Sequence, residues 1–351
     1  MKKKRLILPI FLLVQIVGLK ILSFFPEFVE NNYSNGLYPY ISKFSRSILG
    51  WIPFSFGDVM YAILIVLGIK WIYQNRKTGW KSNTISVLSV LSIVYFLFHF
   101  LWAFNYHRIP LFKKMNIKTE YSDAQLLAFT RKLIFKTNQI QFQITNDTTK
   151  KIINPFTQNQ IFEKSLNGYK NLSSEYSFFT YHKPSVKKSL FSYPLTYMGF
   201  GGYLNPFTNE AQVNRMIPQY GFPMTTCHEM AHQMGFASES ECNFIGFLAT
   251  TKNEDLYFKY SGYSYALRYC LSNWEARNPA ILKQLLKTIH SGILKNYQES
   301  EDFWESHQTF INIGFEIFYD NFLKFNQQKD GLESYSKFVD LMVNYYEDKN
   351  L

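Results

Sequence analysis

Cysteine is scarce in this chain. There are three in 351 residues, Cys227, Cys242 and Cys270, with no C-x-x-C spacing. That argues against a disulfide-stapled secreted scaffold and makes Cys227 and Cys242 small buried residues rather than ligands, although they flank the central motif. The glycine-rich stretch at 198–206 has neither G-x-G-x-x-G nor G-K-[ST], so no nucleotide site is read there. No internal repeat or low-complexity tract is visible, and no inverted repeat of the transporter kind. Acidic residues are also short: 26 against 37 basic, a net charge of +11. That sign suits an anionic membrane or nucleic acid, but no basic patch interleaves with base-stacking aromatics, so the membrane is the expected partner and nucleic acid is not.

What the chain has in quantity is long apolar runs, and they concentrate in its first hundred positions. After Lys2-Lys-Lys-Arg5, residues 6–25 form a run of about 20, enough to span a bilayer and without a small-x-small cleavage site after it. Residues 58–73 and 85–104 read as a second and a third span, joined by a short basic turn containing Arg76, Lys77 and Lys81. Both basic clusters belong on the cytoplasmic side, which places everything after 104 on the periplasmic or extracellular side of a bacterial inner membrane. His107, Arg108, Lys113 and Lys114, just beyond span three, argue mildly the other way. The mixed segment 40–51 has the pattern of an amphipathic helix lying in the interface. His99 falls inside span three and reads as a neutral, hydrogen-bonded histidine near a helix end.

From about 105 to 351 the composition is that of a soluble domain, organised around Pro223-Met-Thr-Thr-Cys-His-Glu-Met-Ala-His-Gln-Met-Gly235. This contains His228-Glu229-x-x-His232, the H-E-x-x-H pattern of zinc peptidases. On a helix, positions i and i+4 share a face, so two imidazoles can grip one tetrahedral ion. Glu229 beside them can direct its carboxylate at water on the metal's open position. Pro223 upstream, Thr225 or Thr226 as cap, and Gly235 as stop make a helix locally plausible.

A third ligand is expected from Glu239 or Glu241. A histidine six residues after His232 would fall at Ser238, which excludes the metzincin pattern. Glu239-Ser-Glu-Cys-Asn243 instead resembles the Glu-x-x-Ala-Asp arrangement of gluzincins, with Cys for Ala and Asn for Asp. That resemblance implies Glu239 as ligand, with Asn243 supporting a ligand from behind; Glu241 lies about 200° around a helix from Glu239.

Elsewhere, Ser122 to Thr137 reads as a helix capped by Ser122, with Leu126, Leu127, Phe129, Leu133 and Ile134 on its apolar face. Residues 140–185 are polar and give no clear element. Glu210, Ala211, Gln212, Val213 and Asn214 form a short strand just before the motif. Such a strand is either an edge that pairs with extended substrate or part of an ordinary hairpin. Residues 244–350 look helical, and Tyr335 and His290 are candidates for stabilising an oxyanion.

The three spans, the segment Gly199-Phe-Gly-Gly-Tyr-Leu-Asn-Pro206 with its continuation to Asn214, the stretch 228–244 and the late stretch 321–341 together resemble a bacterial membrane family known as domain of unknown function 3810. The resemblance implies a zinc peptidase of unassigned substrate. The expected fold is α+β, mostly α: three transmembrane helices in 1–104, then a zincin-like domain over 105–351. The expected activity is hydrolysis of peptide bonds by a membrane-anchored endopeptidase, with Zn²⁺ held by His228, His232 and Glu239 and with Glu229 as base; an amidase would need the same groups. The alternative is a membrane-anchored scaffold whose metal site is vestigial or structural. An intramembrane protease is disfavoured, because the motif is flanked by polar sequence.

Overall fold

Each apolar run of the N-terminal third becomes a helix, and local chemistry sets where it begins. In the structure, a computed structural model that describes residues 3–326 and 335–351 (backbone only at 3, 4, 325, 335 and 336), helix α1 covers Ile7–Leu22. The chain then bends by 101° into Pro26–Leu49, a helical segment that includes a π-helical stretch over Val29–Leu37 and ends in α2, Tyr38–Leu49. Helices α3, Phe56–Asn75, and α4, Trp80–Leu101, are long and apolar enough to cross a membrane. The first run reaches span length only if α1 and the bent segment after it are taken together. Span two is therefore longer than 58–73. It starts two residues earlier because Ser55 Oγ accepts the Asp58 amide at 3.0 Å and caps the helix. Span three starts at Trp80 rather than 85, winding through Lys81, Ser82 and Asn83, and stops at Leu101. Gln15 Nε2 donates to Ser92 O at 3.2 Å and to Ser92 Oγ at 3.0 Å, tying α1 to α4. His99 is buried, its Nδ1 2.9 Å from Tyr95 O one turn back.

Among the described residues the fold is mostly helical with little strand. Helix α5, Asp123–Thr145, has the expected Ser122 cap, which Gln125 completes as a capping box, and buries Leu126, Phe129, Leu133 and Ile134; it runs eight residues past 137, to a left-handed Asn146. A second capping box, Thr157 with Gln160, starts α6, Gln158–Glu175, inside the stretch 140–185. Three three-residue strands, β1 (Val186–Lys188), β2 (Gly202–Leu204) and β3 (Ala211–Val213), make the sheet. Their order is β1-β3-β2, with β1 parallel and β2 antiparallel to β3. The other helices of eight residues or more are α7 (Phe222–Gln233), α8 (Glu239–Thr251), α9 (Leu256–Arg277), α10 (Pro279–Leu286), α11 (Ser291–Glu305), α12 (Phe310–Phe325) and α13 (Tyr335–Tyr345). The run Phe244-Ile-Gly-Phe-Leu-Ala249 makes α8 apolar all round, and it is accordingly the buried centre, packed against α6, α7, α9 and α13.

The expected boundary after residue 104 follows composition but not packing. Val29, Tyr33, Tyr38, Trp102 and Ala103 form one buried cluster with Leu204 and Ala237. Arg108 and Lys114, which weigh against the topology when counted as loop charges, both bind buried Glu30: Arg108 Nη2 at 2.9 Å and Lys114 Nζ at 2.8 Å. They are internal ion-pair partners rather than free loop charges.

Candidate metal centre

Helix α7 begins at Phe222, with Pro223 in its first turn, where a missing N–H costs nothing. Thr225 and Thr226 are not its cap. Both lie inside the helix, and Thr226 Oγ1 donates back to Phe222 O at 2.8 Å. At the other end Gly235 adopts φ +84°, a left-handed turn that favours glycine, and the chain reverses to bring α8 alongside.

His228 and His232, one turn apart, converge with their Nε2 atoms 3.1 Å from each other. Glu239, the first residue of α8, places Oε2 3.2 Å from His228 Nε2 and Oε1 3.7 Å from His232 Nε2. One ligand atom from each of the three residues lies within 4.8 Å of the others, close enough for all three to reach a single ion with bonds of about 2.0–2.2 Å. Glu241 points elsewhere: its Oε1 accepts the Leu111 amide at 2.6 Å, and burial pushes its carboxyl up to about 7.

The far nitrogens of both rings are already engaged. His228 Nδ1 lies 2.8 Å from Asn243 Oδ1, which also accepts Tyr265 OH at 2.8 Å; Tyr265 OH is 3.0 Å from Tyr269 OH. His232 Nδ1 lies 2.8 Å from Phe236 O and 3.2 Å from Cys242 Sγ. An acceptor at Nδ1 fixes the proton there and leaves the Nε2 lone pair free for a cation. Burial raises the Cys242 thiol to about 11, so it remains a thiol behind the ring. Burial opposes charge on both His232 and Glu239. Cys242 and Glu239 outweigh it at the imidazole, holding it well above its ordinary range, and His232 with His228 outweighs it at the Glu239 carboxyl, holding it well below.

Glu229 is 4 % exposed, and no hydrogen-bond partner is found for its Oε2 among the described residues. Burial pushes its carboxyl up to about 7; His228 and His232 pull it down and Glu239 pushes it further up. Its neighbour is Gly202 of β2, where a Cβ would stand 2.6 Å from Glu229 Oε1. A carboxylate with an orphaned oxygen beside three convergent donors fits a cation with a polar reactant next to it.

The strand 210–214 is not the edge that substrate pairing requires. β3 is the central strand, with both sides taken by β1 and β2. Glu210 is fully buried and accepts the amides of Phe56 at 3.1 Å and Gly57 at 2.6 Å, capping span α3. Ala211 and Val213 are core, and Asn214 donates to Thr196 Oγ1 at 2.8 Å. Gln212 is buried, with neither side-chain polar atom bonded among the described residues.

Residues with no local sequence signal complete the surroundings. Tyr319 of α12 donates to Glu239 Oε1 at 2.7 Å. The carbonyls at the end of α7 are satisfied from the N-terminal third of the chain: His232 O by Trp102 Nε1 at 3.0 Å, Gln233 O by Tyr38 OH at 3.0 Å and Ser42 Oγ at 3.1 Å, and Gly235 O by Arg108 Nη1 at 2.8 Å. His290 is engaged with Gln141 Oε1 at 2.8 Å, and the side chain of Tyr335 lies outside the described residues. Comparison with curated proteins and with solved structures gives no match. Residues 33–343 match the family described as protein of unknown function (DUF3810), and the chain belongs to that family.

Proposed function

We propose that the chain is a membrane-anchored, zinc-dependent endopeptidase with a zincin-like centre, its site on the extracytoplasmic side. The observation that carries this reading is the convergence of His228, His232 and Glu239 with both Nδ1 atoms engaged, next to a buried Glu229 whose Oε2 is unpaired. When bound, Zn²⁺ would supply Lewis acidity, polarising a peptide carbonyl and acidifying a water. Glu229 takes the proton from that water and delivers it to the leaving amine. An extended substrate pairs with β2, not β3. Gly201 O accepts from Asn214 N and Asn205 N donates to Glu210 O, and the alternation of an antiparallel ladder then turns the amide and carbonyl of Gly202 outward, beside Glu229. The start of α3 and the end of α4 both adjoin the site, while the basic turn with Arg76 and Lys77 lies at their other end; by the positive-inside rule this supports a site outside the cytoplasm.

A structural zinc site in a scaffold has no use for a carboxylate at 229, so Glu229 separates the two readings. The test uses the full chain in detergent. About one zinc per chain in the wild type, lost in His228→Ala, together with peptide hydrolysis that disappears in a zinc-retaining Glu229→Gln, supports the peptidase. Folded protein without zinc, or hydrolysis unchanged in Glu229→Gln, overturns it.

A further inference from the structure

Helix α12 has two apolar sides, and the protein covers only one. At about 100° per residue, Asn312, Phe315, Tyr319, Phe322 and Leu323 share the inward side; Asn312 and Leu323 are buried and the three aromatics half-buried. Phe310, Ile313 and Ile317 project in the opposite direction and are 84 %, 59 % and 61 % exposed. Polar groups return to this side only toward the helix end, at Asn321 and Lys324, whereas a helix of a water-soluble domain would carry them along its length.

This outer side is continuous with the surface of span α4. Phe98 of α4 packs on Phe322, with ring centroids 6.1 Å apart, and Phe322 stacks on exposed Phe318 at 6.5 Å. The same end of the spans carries further exposed apolar groups. Helix α2 buries Ser42 and Arg46 and exposes Tyr40, Phe44 and Ile48, and Leu190 and Tyr193 are exposed where Leu190 N donates to Asp58 near the start of α3. Apolar groups set around the ends of the spans match a lipid plane; a protein partner would need one patch.

We propose that α12 lies in the bilayer interface, with Phe310, Ile313 and Ile317 inserted among lipid, as a second interfacial helix besides α2. Its inward side carries Tyr319 to Glu239, so the helix that rests on the membrane also roofs the metal cluster. The proposal needs the spans to cross a bilayer and does not depend on zinc or on peptidase activity.

The three native cysteines are buried, so nitroxide labels can be directed to single introduced thiols in the full chain. The variants are Phe310→Cys, Ile313→Cys and Ile317→Cys, with exposed Val90→Cys on α4 as lipid reference and exposed Asp302→Cys on α11 as water reference. In liposomes of phosphatidylethanolamine and phosphatidylglycerol, collision with oxygen should exceed collision with a water-soluble nickel chelate at all three α12 positions, as at Val90. The ratio should invert at Asp302. An aqueous profile on α12 with a lipid profile at Val90 would overturn this inference alone. Shielding of the α12 labels from both reagents would also overturn it, pointing to a second protein surface. An aqueous profile at Val90 would overturn the spans as well.

Discussion

The two histidines of the candidate metal centre face the same point but are supported in different ways. Behind His228 stands a chain of side chains, Asn243 and then Tyr265 with Tyr269, contributed by α8 and α9. Behind His232 stands the carbonyl of Phe236, and the end of its helix is tied down by Trp102, Tyr38, Ser42 and Arg108 from the N-terminal third of the chain. One half is set by residues close in sequence or from the next helix, the other by residues more than a hundred positions away. The first half should therefore tune metal affinity with little effect on the fold. The second should affect the fold first, and the metal as a consequence.

The largest test of that difference is Arg108→Met. Arg108 is 8 % exposed and grips both oxygens of Glu30 while donating to Gly235 O. Removing it leaves buried Glu30 with Lys114 and the Asn35 side-chain amide, both on Oε1, and breaking a buried pair in this way costs about 3–5 kcal/mol. Thermal denaturation of the full chain in detergent should show the loss, with metal lost in the same transition. The 105–351 fragment, which lacks Glu30, Tyr38, Ser42 and Trp102, should behave still worse. A fragment that binds metal as the full chain does would erase the contrast between the halves.

Trp102→Phe is milder. It keeps an aromatic ring at the face of His232 but removes the N–H bonded to His232 O. His232 O keeps the Gly235 amide at 3.0 Å, so the loss is that of one hydrogen bond, about 0.5–1.5 kcal/mol, read as a slightly lower melting temperature with metal content near one per chain. On the other side, Asn243→Ala should reverse the pattern. Loss of an outer partner of a ligating histidine typically weakens metal binding by about 10–100-fold, here measured by competition with a chelator, while the melting temperature of the metal-free protein should hardly change. Asn243→Asp keeps the acceptor, adds charge and should bind at least as tightly as wild type. If Asn243→Ala lowers stability as much as Trp102→Phe does, the two halves are not distinct.

This division also explains what could be read in the sequence. The H-E-x-x-H helix, its stop at Gly235 and the capping box at Ser122 are legible because each rests on residues within a turn or two of one another. The capping box at Thr157 was equally local and would have revealed α6 in a stretch that otherwise looks merely polar. The choice between Glu239 and Glu241 had a local signal in their angular separation, but the partner of Glu241 is the amide of Leu111, 130 residues back. Whether 210–214 is an edge depends on β1 and β2, whose pairing short strands do not announce. Trp102, Arg108, Tyr38 and Tyr319 have no motif at all. Each is a single side chain whose partner is fixed only when the chain has folded, and a boundary drawn by composition at 104 separates several of them from the helix they complete.

Cys242 is where the two halves meet, and it gives the smallest predicted effect. It belongs to α8, the side of Asn243, yet its Sγ sits 3.2 Å from His232 Nδ1 and donates to Phe236 O at 3.2 Å. The gluzincin-like pattern has alanine at this position. Cys242→Ala removes a weak S–H donor from a carbonyl that His232 still bonds, and leaves a void the size of one sulfur. The expected cost is about 1 kcal/mol, with metal affinity within about threefold of wild type, since the bond that orients the ring is the one to the main chain. A loss of metal comparable to that in Asn243→Ala would mean that the thiol orients or ligates. His232 would then depend on a side chain as His228 does, and the distinction between the halves would rest on the caps from the N-terminal third alone.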